Sequence, residues 1–287
     1  MQYVAAIVNG LTLGSIYALV ALGFTLTFRT VNVLDFGQGD KVVLGGLLAL
    51  SLVHTHVPLS LAFLIVIAGG VFGGVIYDTI VMRSTIRRGP DAAVVATVGA
   101  LLILSSGHVL IWGAAGQSFP ALINGSLTIG KARVADQDFL VWVVVAAIVT
   151  AMTLFLSRAR YGKAMVASAA DPTAAGTVGI DAGRTRVVAV SLAFTLAMLA
   201  GVLIAPITLA GGVVGPDLTL KGFTAAVLGG LTSTEGAVVG GLLLGVFESL
   251  IGLELPFVYQ EPIVFGLLIA VLLVTPNGLF GRGRRLA

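Results

Sequence analysis

Long apolar stretches separated by short polar ones make up almost the whole chain. The first runs over residues 4–28, which is long enough to cross the roughly 30 Å apolar core of a bilayer. Further stretches of this kind occupy residues 59–82, 92–112, 139–156, 187–210, 237–251 and 262–274. We expect Pro206 to kink the stretch 187–210, because proline removes a helical hydrogen bond. The pattern predicts an all-α polytopic integral membrane protein.

Two apolar segments, residues 41–53 and 221–231, are too short to span comfortably. A turn at 215–217 is expected before the second one. Including the half-length pieces, the pattern predicts about eight transmembrane helices, or nine if 219–231 counts separately. The two halves also share a faint repeat, since residues 42–48 (VVLGGLL) resemble residues 238–244 (VVGGLLL). Paired interruptions in two halves of a transporter point to a substrate path.

Polar breaks accompany both short segments. Interrupted helices are tolerated in membranes where they are buried in protein or line an aqueous path, and intramembrane polar groups are usually functional. We therefore predict that the breaks line or gate a translocation path. The alternative is a plain cytoplasmic turn between helices. The predicted path residues are Asn32, Asp35, Phe36, Gln38, Asp40, Thr232, Thr234 and Glu235.

Composition supports a membrane protein. Of the 287 residues, 57% are hydrophobic and 10% are charged, whereas soluble domains carry roughly 25% charged residues. The 38 glycines suit close helix packing in lipid, and the pairs Gly10/Gly14 and Gly241/Gly245 have the spacing of a packing face. The net charge of +3 comes from loops, with no basic stripe interleaved with aromatics, so nucleic-acid binding is not expected.

Basic residues mark one side of the membrane. Residues 157–186 contain Arg158, Arg160, Lys163, Arg184 and Arg186, a bias typical of cytoplasmic loops. The loop at 83–88 and the tail at 281–285 are also basic. Counting crossings back from that tail places the C-terminus in the cytoplasm and the N-terminus outside.

The basic segment also contains a compact helix signal. Asp171 is suited to cap a helix, Pro172 to its first position, and Gly179 to its end. Residues 173–178 would form about two turns between them. A short capped helix on a cytoplasmic loop predicts a docking element for a partner, with an ordinary surface loop as the alternative.

Catalytic chemistry finds little support in the sequence. The serines lack neighbouring His and Asp in a recognisable motif, and no HExxH-type metal pair occurs. The carboxylates Asp78, Glu235 and Glu248 could each cap a helix, pair with Arg or face water. We expect a protein that is not an enzyme, holds no metal or cofactor, and draws energy from another chain.

Four stretches together resemble the LivH-type permease subunit of bacterial branched-chain amino-acid ABC importers, over nearly the whole chain. They are NGLTLGSIYAL at 9–19, DFGQGD at 35–40 followed by LGG at 44–46, KGFTAAVLGG at 221–230 with GGLLLG at 240–245, and PNGLFG at 276–281. The second stretch in the family typically reads Asn-Phe-Ala-His-Gly-Glu, so Gln38 replaces an ionisable histidine. The basic segment resembles the family's coupling loop, a divergent Glu-Ala-Ala…Gly pattern.

The resemblance implies one transmembrane permease domain over 1–287, with 157–186 as its cytoplasmic coupling loop, in a bacterial inner membrane. The implied partners are a LivM-like second permease, two cytoplasmic ABC ATPases that use the ATP, an extracytoplasmic substrate-binding protein and membrane lipid. In that loop, the residues implied to couple to the ATPases are Ala169, Ala170, Asp171, Pro172, Gly176 and Gly179.

Three other readings stay open at the level of sequence. The same importer class could carry urea, short amides or other amino acids. A passive solute channel would need no capped cytoplasmic helix. A purely structural membrane subunit would tolerate changes at Gln38 or Glu235 without any effect on flux.

Overall fold

A computed structural model describes residues 2–120, 125–129, 132–211 and 214–281 of the chain. Within these ranges the chain is a helical bundle with one small hairpin, which confirms the predicted all-α membrane class. The helices are α1 (Gln2–Val31), α2 (Gln38–His54), α3 (Leu59–Tyr77), α4 (Arg83–Ile86), α5 (Pro90–Trp112), α6 (Asp136–Arg158), α7 (Arg160–Ala170), α8 (Pro172–Thr177), α9 (Ala182–Ile204), α10 (Gly215–Gly229), α11 (Thr234–Glu254) and α12 (Phe257–Val274).

Six helical spans in the described ranges are long and apolar enough to cross a membrane. One of them combines α3 and α4 through a π-helical segment, Asp78–Met82, to give Leu59–Ile86. The helices α2, α10 and α12 are shorter, with 17, 15 and 18 residues. The predicted half-length segments α2 and α10 are therefore present beside the full spans.

The spans differ in how deeply they are buried. The most apolar windows of α1 and α9 are 61% and 83% buried, whereas those of α5 and α6 are each 17% buried. Tight packing joins α1 to α11 and α9 to α1, α2 and α3. The bundle therefore has α1 and α9 at its centre, and α5 and α6 present mostly apolar surface outward, as lipid-facing helices do.

Two local expectations were wrong. Residues 215–217 do not form a separate turn but begin α10, with Pro216 in the first helical turn, where its missing N–H costs no hydrogen bond. Pro206 does not kink a continuing helix, because α9 ends at Ile204. The chain leaves the helix there, since proline cannot supply the next helical hydrogen bond.

Two further elements lie in segments for which the sequence predicted none. Strands β1 (Ser126–Ile129) and β2 (Ala132–Ala135) pair antiparallel in the predicted outer loop. Helix α7 precedes the short capped helix and follows α6 after a single extended residue, Ala159. Its sequence places apolar residues on one face, which is buried through Gly162, Met165 and Ser168.

Candidate functional site

The basic segment forms an exposed, capped helix. The Asp171 side chain accepts hydrogen bonds from the Thr173 and Ala174 amides at 2.8 and 2.9 Å, so it is the predicted cap of α8. Gly179 has φ +82° and ends the helix, while the Ile180 amide donates to the Ala175 carbonyl at 3.0 Å. This is the Schellman arrangement, in which a left-handed glycine satisfies the last carbonyls. The helix geometry is confirmed, and its coupling role stays a prediction.

The surface of this helix is free of contacts from the rest of the described chain at several points. No described atom lies within 4 Å of where a Cβ would stand on Gly176 or Gly179. Val178, at the end of α8, is 75% exposed. The other predicted coupling residues lie beside it, with Ala170 ending α7 and Ala169 lining a shallow depression with Arg29 and Met165. These positions of α8 are therefore accessible to a partner.

The first predicted break holds a buried ionic cluster. Asp35 forms an ion pair with Lys41 and accepts hydrogen bonds from the Tyr77 hydroxyl at 2.6 Å and the Gly37 amide at 3.1 Å. The Lys41 ammonium lies 3.8 Å from the Tyr77 ring centroid. Asp35 and Lys41 are both fully buried, so this cluster ties the start of α2 to α3 rather than facing water.

The other residues of this break have different surroundings. Asn32 is exposed with φ +55° where α1 ends, and Phe36 is half-buried, with a carbonyl that accepts from Thr219. Gln38 is fully buried at the crossing of α1, and neither amide atom has a hydrogen-bond partner. Asp40 is buried 3.8 Å from His108 Nδ1, and a Cβ on Gly215 would lie 2.5 Å from its carboxylate.

The second break lies where α10 ends and α11 begins. Thr232 and Glu235 are exposed and Thr234 is half-buried. Ser233, which the sequence did not single out, caps α11 by accepting from the Gly236 amide at 3.0 Å. The family-like stretch 276–281 closes over this end, because the amides of Leu279 and Phe280 donate to carbonyls at the end of α10.

A cavity of about 190 Å³ lies nearer the other end of the bundle. It is lined by residues of α1, α2, α9, α10 and α11, and by residues 205, 208–211 and 214 between α9 and α10. Its walls are mainly aliphatic, and three charged side chains stand at one side. The apolar lining includes Leu13, Val42, Val43, Ile204, Leu209, Val214 and Leu218. The charged lining consists of Asp217, Lys221 and Glu248.

These three residues form one ionic group, hereafter the charged trio. The Lys221 ammonium contacts Glu248 Oε1 at 2.7 Å and Asp217 Oδ2 at 3.1 Å. The second Glu248 oxygen is buried and accepts no hydrogen bond of normal geometry. The Tyr17 ring lies 5.9 Å from the ammonium. Two carboxylates beside one ammonium leave the cavity with a negative excess.

The structure separates the predicted path residues from this cavity. None of the eight is among the residues that line it, so their role in a path stays a prediction. The two half-length helices do meet, because Thr219 of α10 accepts from the Gly39 amide of α2 at 2.9 Å.

The sequence singled out Glu248 but missed Asp217 and Lys221 as site residues. Their signal was an i,i+4 acid–base pair next to an apolar run.

The sequence of this chain matches a known protein family over most of its length. The family model described as branched-chain amino acid transport system / permease component matches residues 6–274. The high-affinity branched-chain amino acid transport system permease protein LivH of Escherichia coli (strain K12) is 31% identical, with 98% of this chain and 96% of that one covered. The corresponding protein BraD of Pseudomonas aeruginosa is 30% identical with the same coverage.

More distant similarities extend the comparison. The ribose import permease protein RbsC of Escherichia coli (strain K12) is 25% identical, over 92% of this chain and 83% of its own length. Among solved structures, PsaBC from Streptococcus pneumoniae in complex with Fab matches with a TM-score of 0.50 and 16% identity, covering 96% of this chain and 91% of that one. The structural likeness bears on the fold alone.

Proposed function

Because the chain belongs to the family of permease components of branched-chain amino acid transport systems, we propose that it forms the membrane path of an ATP-driven importer for branched-chain or related amino acids. It is a multi-pass membrane protein and a transport subunit, not an enzyme. The observation that carries the choice of cargo is the cavity, whose aliphatic walls and charged trio match an apolar amino acid.

The capped helix α8 supports coupling to a partner that hydrolyses ATP. Four residues after the end of α8, Asp181 caps α9 by accepting from the Gly183 and Arg184 amides at 2.8 and 3.2 Å. Helix α9 then runs to the cavity, which it lines with Gly201 and Ile204. A displacement of α8 by closing ATPases would therefore be transmitted along one rigid helix to the cavity.

The proposed assembly contains four kinds of partner. Two cytoplasmic ATPases would dock on α8 and use the ATP. A second, LivM-like permease would complete the path, and an extracytoplasmic binding protein would deliver the solute. The outward surfaces of α5 and α6 are apolar, which supports contact with lipid or with the second permease.

The proposed orientation has the N-terminus outside and the C-terminus in the cytoplasm. Basic residues support it, because α7 contacts the end of α1 and Arg186 at the start of α9 binds Asp78. The basic loop 83–88, the segment 157–186 and Arg29 thus lie at one end of the bundle. Such an end faces the cytoplasm under the positive-inside rule.

Other cargoes belong to the same proposal as alternatives. A relative described as a ribose import permease is similar over most of the chain, so this architecture is compatible with more than one solute. Urea, short amides and other amino acids are therefore the second candidates. A passive channel is disfavoured by the exposed and doubly capped helix α8, which such a channel would not need.

The experiment compares two glycines that both have positive φ but lie in different loops. Replacing Gly179 by valine strains a left-handed residue at the end of α8, and we expect it to abolish ATP-dependent uptake and co-purification of the ATPases. Gly89→Val is the control for backbone strain, because Gly89 has φ +109° and ψ 162°, which valine also disfavours, and no described atom lies near its Cβ position. Gly89→Val should retain most of the uptake.

Membrane insertion of both variants is checked by their yield in the membrane fraction. Full uptake by correctly inserted Gly179→Val would refute coupling through α8. Uptake by the wild-type chain alone in liposomes without ATP would refute the importer and support the channel.

A further inference from the structure

The charged trio is incompletely satisfied within the protein. Lys221 has three N–H donors, and two of them are accounted for by Glu248 and Asp217. On the acceptor side, Glu248 Oε2 is buried and accepts no hydrogen bond of normal geometry from the described residues, although the Tyr17 hydroxyl interacts with this carboxylate. An incompletely satisfied buried carboxylate oxygen costs free energy, so a ligand that donates to it would be bound favourably.

The trio also has an excess of one negative charge in an apolar setting. Its two carboxylates face one ammonium, and the side chains of Lys221 and Glu248 are each 11% exposed. Electrostatic attraction is stronger where water is excluded, so the site favours a positively charged group. At the same time, the third donor of Lys221 leaves a position for a neighbouring anion.

The aliphatic walls of the cavity favour an apolar side chain on the ligand. Val42, Val43, Ile204 and Leu218 surround the cavity with branched aliphatic side chains. Its volume of about 190 Å³ lies below the roughly 300–1,000 Å³ of drug-sized sites, so it suits a small solute.

We propose that this cavity is the permease's own binding site for an apolar α-amino acid, in which Glu248 and Asp217 bind the ammonium group, Lys221 faces the carboxylate, and the aliphatic walls hold the side chain. The inference rests on the proposed function and adds to it the substrate-contacting residues. It assigns recognition to Asp217, Lys221 and Glu248, and not to the two breaks.

A photoreactive ligand tests the site directly. The purified complete importer is irradiated with a diazirine analogue of L-leucine, and the labelled residues are located by mass spectrometry. We expect labels on the cavity walls, including Val43 or Leu218, and their loss with excess L-leucine. Leucinamide, which keeps the ammonium, should compete, whereas 4-methylpentanoate, which lacks it, should not.

Substitutions in and near the cavity distinguish a role in ligand binding from a role in folding. Glu248→Gln should lower wall labelling about tenfold or more, since a charge-assisted hydrogen bond is lost. Glu254→Gln on the same helix is the matched control, because Glu254 is exposed at the helix end, where it accepts from the Tyr3 hydroxyl, and the substitution should leave labelling unchanged. If Glu248→Gln fails to fold, Val43→Phe fills the cavity while retaining all three charges and should abolish the labels.

Two results would contradict the proposal that this cavity binds the amino acid. Labels confined to residues 32–40 or 232–235, or no competed label on the cavity walls at saturating probe, would place recognition elsewhere. If folded Glu248→Gln were labelled and competed to the same extent as the wild type, Glu248 would not bind the ammonium group of the ligand. ATP-dependent leucine uptake by the same wild-type preparation is measured in parallel, so that a failure of the importer proposal is distinguished from a failure of the site.

Discussion

At the scale of single residues, three carboxylates near the membrane have three different environments. Asp78 binds Arg186 through two contacts of 2.7 and 3.2 Å, Glu248 binds Lys221, and Glu235 is exposed in the first turn of α11. The first pair joins the π-helical segment to the start of α9 across 108 residues of sequence. Asp78 is 1% exposed, so the protein rather than water satisfies its charge.

We predict that Asp78→Asn destabilises the protein. Removing one member of a buried ion pair leaves the other uncompensated and costs about 3–5 kcal/mol, and the partial exposure of Arg186 puts this pair at the lower end. Thermal unfolding in detergent measures the change. Arg184→Ala is the control, because its pair with Asp181 is exposed and worth at most about 1 kcal/mol. Equal melting temperatures for Asp78→Asn and wild type would contradict the prediction.

At the scale of elements, glycines set the separation of the two most closely packed helices. A Cβ on Gly14 of α1 would lie 2.8 Å from Leu242 Cα of α11, and one on Gly10 would lie 2.6 Å from Val246 Cα. On the facing helix, Gly241 and Gly245 pack directly on the α1 backbone. The glycine spacing predicted this packing face, and the close approach of the backbones confirms it.

We predict that Gly14→Leu forces α1 and α11 apart. Overpacking costs about 1–3 kcal/mol, and the displaced helices both line the cavity, so stability and uptake should fall together. Gly107→Leu in α5 is the matched control, since no described atom lies within 4 Å of its Cβ position. Melting temperature and uptake are compared for both variants. A stable and active Gly14→Leu would show that this face tolerates a side chain.

At the scale of the whole molecule, the proposed docking helix α8 and the cavity lie toward opposite ends of α9. The helix begins beside α8 and reaches the cavity at Gly201 and Ile204, shortly before it ends. The basic loops lie at the beginning of this helix. Under the proposed orientation, α8 would lie at the cytoplasmic end, where the ATPases would dock, and the solute would enter from the opposite end.

We predict the orientation from this polarity. The chain has no cysteine, so single cysteines report accessibility without background. In spheroplasts, a membrane-impermeant maleimide should label Thr55→Cys, in the loop after α2, and should label Val178→Cys only in inverted vesicles. The reverse pattern would invert the topology. Both cysteines are placed at exposed positions, which makes their intrinsic reactivity comparable.

Features that depend on neighbours along the chain could be predicted from the sequence. Spans follow from apolar length, and the caps of α8 follow from Asp171 and Gly179, because a cap bonds amides only two or three residues away. The half-length segments and the glycine packing faces were readable for the same reason. The turn predicted at 215–217 was wrong, because proline and aspartate suit a turn and the start of a helix equally well, and these residues begin α10.

Which distant groups meet depends on the three-dimensional fold. Asp78, Glu235 and Glu248 have the same ionisable group in the sequence, and their environments depend on whether another helix brings a cation within bonding distance. The cavity likewise joins Leu13 to Glu248 through five helices. A lone charge buried within the bundle costs free energy, so each buried carboxylate needs a cation near it. The energy of such a pair depends on the distance between the two groups in space, which cannot be obtained from their spacing in the sequence.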